Sequence, residues 1–128
     1  MLLINIRKFD LFNRTYGDQQ GDLLRRETAQ VILMNLRDED LACRYASDHF
    51  IVLMRTTAVN TAEKVTVYIE QSIANLGFEV GNFSTEKYQN VTCCAMQFHG
   101  ADDYRVTLDK LNEYMQTIKD NKQRKLSA

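Results

Sequence analysis

Apolar residues fall in short runs along this chain, and the spacing inside each run sets the element it predicts. Leu2 to Ile6 reads as a short buried strand. A loop punctuated by Gly17 and Gly21 is expected to follow, and then a helix over Asp22–Leu36. Asp22 would open that helix, where the dipole favours an acid. Thr28, Ala29, Ile32 and Leu36 share one face of it, which Arg25 interrupts. Leu41–Tyr45 and Phe50–Met54 alternate as two strands of a hairpin joined at Ala46-Ser47-Asp48-His49. Ala62, Val65, Ile69, Ile73 and Leu76 form a helical stripe that Gly77 closes. Phe78–Phe83 and Val91–Phe98 read as strands, with the adjacent Cys93 and Cys94 on opposite faces. Asp102 or Asp103 caps a last helix carrying Leu108, Leu111, Met115 and Ile118 on one side.

The order is β-α-β-β-α-β-β-α. A hairpin set between strand–helix units predicts an α+β protein, with a mixed, largely antiparallel sheet and helices packed on it. There is no proline and no Gly/Ser-rich linker, so residues 1–128 read as one domain. The tail Lys119-Asp120-Asn121-Lys122-Gln123-Arg124-Lys125 is polar, as a solvated helix end is.

Composition narrows the partners. The net charge of −1 gives no global field toward nucleic acid or anionic lipid. No apolar run is long enough to span a bilayer. Three cysteines, Cys43, Cys93 and Cys94, lack metal-site spacing, and their odd count suits a reducing, cytoplasmic setting. His49 and His99 would join them in a metal site only by chance proximity. Ser47-Asp48-His49 is not a triad, because consecutive residues around a turn do not line up as nucleophile, base and orienter.

Two stretches carry candidate chemistry. One is the hairpin Leu41-Ala42-Cys43-Arg44-Tyr45-Ala46-Ser47-Asp48-His49-Phe50-Ile51-Val52-Leu53-Met54. The other is Phe9-Asp10-Leu11-Phe12-Asn13-Arg14-Thr15-Tyr16-Gly17-Asp18-Gln19-Gln20-Gly21-Asp22. Together they resemble the GGDEF family, the bacterial diguanylate cyclase domain. There a strand–turn–strand carries Gly-Gly-Asp/Glu-Glu-Phe and an upstream loop reads F-K-x-x-N-D-x-x-G-H-x-x-G-D. The resemblance covers nearly the whole chain and implies a ferredoxin-like, palm-type βαββαβ core. The family's usual helix and D-x-L-T-x-L-x-N-R segment do not precede the first strand. The chain is therefore expected to be an N-terminally trimmed, cytoplasmic domain of a larger protein whose other domains would be partners, with or without a membrane anchor elsewhere in that protein.

A cyclase of this family joins two GTP molecules, one held by each of two domains, and its Mg²⁺ ions need carboxylates. The resemblance puts Asn5 where a metal-binding Asp belongs. It puts Ala46, Ser47, Asp48, His49 and Phe50 on the signature, so Asp48 keeps a metal-ligand position and His49 replaces Glu. Asp10 stands where a phosphate-binding Lys is expected. In the last helix Lys119 matches the Lys of K-x-x-G-R, while Lys122 and Gln123 replace the Gly and the Arg. Asn13 and Asp22 match residues that hydrogen-bond the guanine edge; they also suit a turn cap and a helix cap.

Arg37-Asp38-Glu39-Asp40 matches R-x-x-D, which in the family is the inhibitory site for cyclic di-GMP. The five residues Leu41 to Tyr45 separate it from the signature, as the family spacing requires. Arg37 suits guanine O6/N7 and Asp40 a guanine donor edge, although Arg37 would equally offset a helix dipole and Asp40 begin a strand. Three functions follow. One is a catalytically degenerate regulatory or receptor module that binds cyclic di-GMP or a guanine nucleotide and needs no cofactor. A second is a ligand-free structural or homodimerising module. The third is a weak cyclase that still uses Mg²⁺.

Overall fold

The computed structural model describes residues 1–55, 58–76, 79–80, 83–84, 91–98 and 103–127, the side chains of residues 75–76, 79–80, 83–84 and 122–127 excepted. Its elements run β1 Leu2–Ile6, α1 Phe9–Tyr16, α2 Asp18–Met34, β2 Leu41–Ala46, β3 His49–Leu53, α3 Val59–Leu76, β4 Glu79–Val80, β5 Phe83–Ser84, β6 Val91–Ala95 and α4 Tyr104–Ser127. The main sheet has the order β2-β3-β1-β6, and its three pairings are all antiparallel. β4 and β5 form a separate two-stranded ribbon.

β1 is the hub. It pairs with β3 on one side and β6 on the other, and all five of its residues are buried. A strand covered on both faces reads as a continuous apolar run, as Leu2-Leu3-Ile4-Asn5-Ile6 does, with Asn5 the one polar position. Leu2, Ile4 and Ile6 join Phe50, Val52, Val91 and Cys93 in the core that α1, α2 and α3 cover. Leu3 and Cys94 turn the other way, onto Leu111 and Met115 of α4. Cys93 and Cys94 therefore lie on opposite faces, as their adjacency on a strand predicts. Glu70 of α3 accepts the Cys93 N–H at 3.1 Å, satisfying a donor of the edge strand β6. β2, at the opposite edge, is exposed along its whole length.

The stretch expected to be a loop before Asp22 is mostly helical. Phe9 and Phe12 are buried, and the Phe12 and Tyr16 rings meet with centroids 4.9 Å apart. These i, i+3, i+7 positions hold one face of α1 on the core. Gly17 ends α1 at φ +92°, a left-handed conformation that glycine alone adopts freely, and α2 begins at once with Asp18. Asp22 is thus inside α2 and does not cap it. The hairpin turn is tighter than expected, with Ala46 and His49 already paired. The last strand stops at Ala95, short of Phe98. Asp103 supplies the cap of α4, accepting the Arg105 N–H at 3.0 Å; Asp102 lies outside the described residues. Gly77, Phe78 and His99, and so the closing of α3 by Gly77, also lie outside them. Among the described residues no helix is long and apolar enough to cross a membrane.

Candidate functional site

The turn between β2 and β3 and the α1–α2 pair meet at one end of the sheet. The register of β1 on β3 puts Asn5 opposite His49. The Ile6 N–H donates to the Asp48 carbonyl at 2.8 Å, which fixes the turn against β1. Asn5 is 2% exposed, and its Nδ2 donates to the Asp48 carbonyl and to Asp48 Oδ2, each at 3.2 Å. His49 Nδ1 lies 2.8 Å from Asp48 Oδ1, the geometry of a ring N–H donating to a carboxylate. Both oxygens of the single carboxylate in the signature turn are therefore engaged by nitrogen donors. A hard divalent cation needs several anionic or carbonyl oxygens. The Asn5 amide turns its nitrogen toward Asp48, and His49 offers a ring nitrogen. This donor set does not fit Mg²⁺, and among the described residues no three His, Cys, Asp or Glu side chains cluster to hold a metal.

Asn13 and Gly21, the neighbour of Asp22, are brought together; the Asn13 amide oxygen is buried, whereas the Asp22 side chain is 55% exposed but paired. The Asn13 side chain lies over Gly21, where an added Cβ would come 1.6 Å from Asn13 Oδ1. A side chain at position 21 would have to displace the Asn13 amide from this position. Asn13 Oδ1 is buried there without a hydrogen-bond partner. The Asp22 carboxylate is paired with Arg25 one turn along α2. Arg25 also sends Nη1 to the Ser47 carbonyl at 3.3 Å and lies over the Phe9 ring, 5.8 Å from its centroid. One guanidinium thus spans the gap between the guanine-edge candidates and the signature turn. Its interruption of the α2 apolar face was legible in the sequence; its reach to Ser47, 22 residues on, was not.

Arg37 and Asp40 come together differently from the expected open pair. Arg37 Nη2 and Nε donate to Asp40 Oδ1 and Oδ2 at 2.9 and 3.3 Å, and the Arg37 N–H donates to Oδ2 at 2.9 Å. Arg37 Nη2 also reaches the Arg55 carbonyl at 3.0 Å. The Asp40 side chain is completely buried, whereas Arg37 is 44% exposed. Burial pushes the Asp40 carboxyl up, but the hydrogen bonds from Arg37 outweigh it and hold the group below its ordinary range. Asp40 precedes β2 and acts as a buried anchor for the loop after α2. Lys119 sits on α4, across the sheet from α2, and makes no hydrogen bond or ion pair with a described residue. Asp10 lies exposed in the first turn of α1. The Gln123 side chain is outside the described residues.

Comparison with known proteins agrees with this architecture. The response regulator PleD of Caulobacter vibrioides is 36% identical over 81 residues, which is 63% of this chain and 18% of that protein. Diguanylate cyclase DosC of Escherichia coli is 24% identical over 119 residues, covering 93% of this chain and 26% of the relative. The chain thus spans about a fifth to a quarter of the length of these relatives, 18% and 26%. Among solved structures, the GGDEF domain of DgcB from Caulobacter crescentus, in complex with cyclic di-GMP, superposes with a TM-score of 0.85 at 18% identity, covering 94% of this chain and 71% of that one. Diguanylate cyclase SiaD from Pseudomonas aeruginosa, bound to its activator SiaC, gives a TM-score of 0.85 at 21% identity, covering 94% and 45%. At these identities the superpositions establish the fold. The family model "Diguanylate cyclase, GGDEF domain" matches residues 1–125, so the chain belongs to the GGDEF domain family.

Proposed function

We propose that this GGDEF domain is catalytically silent and serves as a regulatory or receptor module in cyclic di-GMP signalling. The observation that carries the reading is the state of Asp48, whose two carboxylate oxygens are taken by Asn5 and His49. Joining two GTP molecules requires Mg²⁺ against the triphosphate. Asn5 and His49 supply nitrogen donors to a carboxylate that would have to face the ion. Asp10 adds negative charge where the triphosphate would run. Each such loss costs a few kcal/mol of transition-state stabilisation, so in series they suppress turnover by orders of magnitude.

The ligand this reading favours is cyclic di-GMP at Arg37. The sealed Asp40 carboxylate does not face solvent, so the contact to the guanine edge falls to the exposed guanidinium, which Asp40 holds in place. The setting is the cytoplasm, and the response would pass to other domains of a parent protein. The mutual satisfaction of Arg37 and Asp40 favours a second reading, a ligand-free structural or homodimerising module.

Titration calorimetry separates the two. The unaltered chain should release heat with cyclic di-GMP, Arg37→Ala should bind about ten- to a hundredfold more weakly, and Asn13→Ala should bind as before. Absence of heat from the unaltered chain would favour the structural module. Cyclic di-GMP formed from GTP and Mg²⁺ or Mn²⁺ at ordinary cyclase rates would overturn catalytic silence.

A further inference from the structure

A cleft of about 330 Å³ lies between α2 and the β2–β3 hairpin, apart from both the Asp48 turn and the Arg37–Asp40 pair. Its floor is apolar, built from Ile32 and Leu33 of α2 and Phe50 of β3. Its charged lining is entirely cationic: Arg25 and Arg26 from the helix and Arg44 from the strand, with no acidic side chain. Arg26 and Arg44 make no hydrogen bond or ion pair with any described residue. Leu33 is 60% exposed.

These features select an occupant. Two uncompensated guanidinium groups on facing walls raise the local positive potential and offer forked donors to an oxyanion. The apolar floor between them rewards burial of a ring or chain. The volume lies at the small-ligand end of the ~300–1,000 Å³ range of binding clefts, too small for a folded partner. We propose that the cleft between α2 and β2 binds a small amphiphilic anion, an aromatic or aliphatic body carrying one sulfonate, carboxylate or phosphate group, with Arg26 and Arg44 holding the charge and Leu33 and Phe50 the body. The site stands independently of cyclic di-GMP binding, since neither Arg37 nor Asp40 lines it.

The probe is 1-anilinonaphthalene-8-sulfonate, compared with N-phenyl-1-naphthylamine, the same ring system without the sulfonate. The anionic dye should bind saturably, one per chain, with enhanced fluorescence. The double substitution Arg26→Ala/Arg44→Ala should weaken it about tenfold or more and leave the neutral dye unchanged. Equal binding of the two dyes or indifference to the double substitution would overturn the assignment. So would dye release coupled to dimer formation in light scattering, which would make a second copy the occupant.

Discussion

Arg25 Nη1 donates to the Ser47 carbonyl at 3.3 Å while the same guanidinium pairs with Asp22, tying helix α2 to the hairpin turn. A residue that interrupts an apolar stripe in the sequence is, in the fold, a strut between α2 and the hairpin turn. Removing it frees the Asp22 carboxylate. Arg25→Ala should therefore tighten binding of a fluorescent GTP analogue, by at most about fivefold, because a partly exposed ion pair of this kind contributes at most about 1 kcal/mol. Unchanged or weaker binding in fluorescence anisotropy would show that the guanidinium does not obstruct the site.

Asn5→Asp restores a carboxylate facing Asp48, where the amide now donates at 3.2 Å. Two carboxylates in a site whose first residue is 2% exposed repel each other and lose a hydrogen bond, so the variant should be about 1–3 kcal/mol less stable without metal. Millimolar Mn²⁺ should recover part of that loss as a raised Tm, and should leave the unaltered chain unmoved. Scanning calorimetry with and without Mn²⁺ reads both effects. A Mn²⁺-dependent rise in the unaltered chain would mean that Asp48 holds a cation despite Asn5 and His49.

Asp40 makes stability depend on pH with a definite sign. Burial raises its pKa, and the hydrogen bonds from Arg37 lower it further than burial raises it, so the folded value is below the ordinary one. The stabilisation is then fully present above the ordinary carboxylate range and is lost as pH falls through the folded value. Asp40→Asn should cost about 1–3 kcal/mol at pH 7. The gap between the two chains should narrow below about pH 4, as the native carboxylate protonates. Urea denaturation at several pH values checks this, and a constant gap down to pH 2 would contradict it.

The three thiols should react unequally. Cys43 is exposed, while Cys93 and Cys94 are buried on opposite faces of β6. Burial pushes the Cys94 thiol up to about 11, against a backbone hydrogen bond at Leu3 that lowers it. Near pH 8, Ellman's reagent should therefore titrate one thiol per folded chain rapidly and all three after denaturation. Rapid release of two or more equivalents from the folded chain would place a core thiol within reach of solvent.

Local patterns were enough to determine β1, the β2–β3 hairpin, the two faces of β6 and the apolar stripes of α2, α3 and α4, because side-chain periodicity is set by the backbone of a single element; where one strand was expected over Phe78–Phe83, Glu79–Val80 and Phe83–Ser84 are separate strands. The short helix α1 was also written there, in Phe9, Phe12 and Tyr16, but glycines at 17 and 21 made the stretch read as a loop. The resemblance to the GGDEF family singled out Asn5, Asp48, His49, Arg37 and Asp40 as candidates. What those side chains do was decided only by the tertiary structure. The β1–β3 register carries the Asn5 amide onto a carboxylate 43 positions away. The packing of α2 beside the hairpin lets Arg25 reach Ser47, and the loop after α2 folds Asp40 inward onto Arg37. A buried polar atom takes whichever partner the fold brings within hydrogen-bonding distance, and for the Asn5 amide that partner, Asp48, comes from a turn distant in sequence.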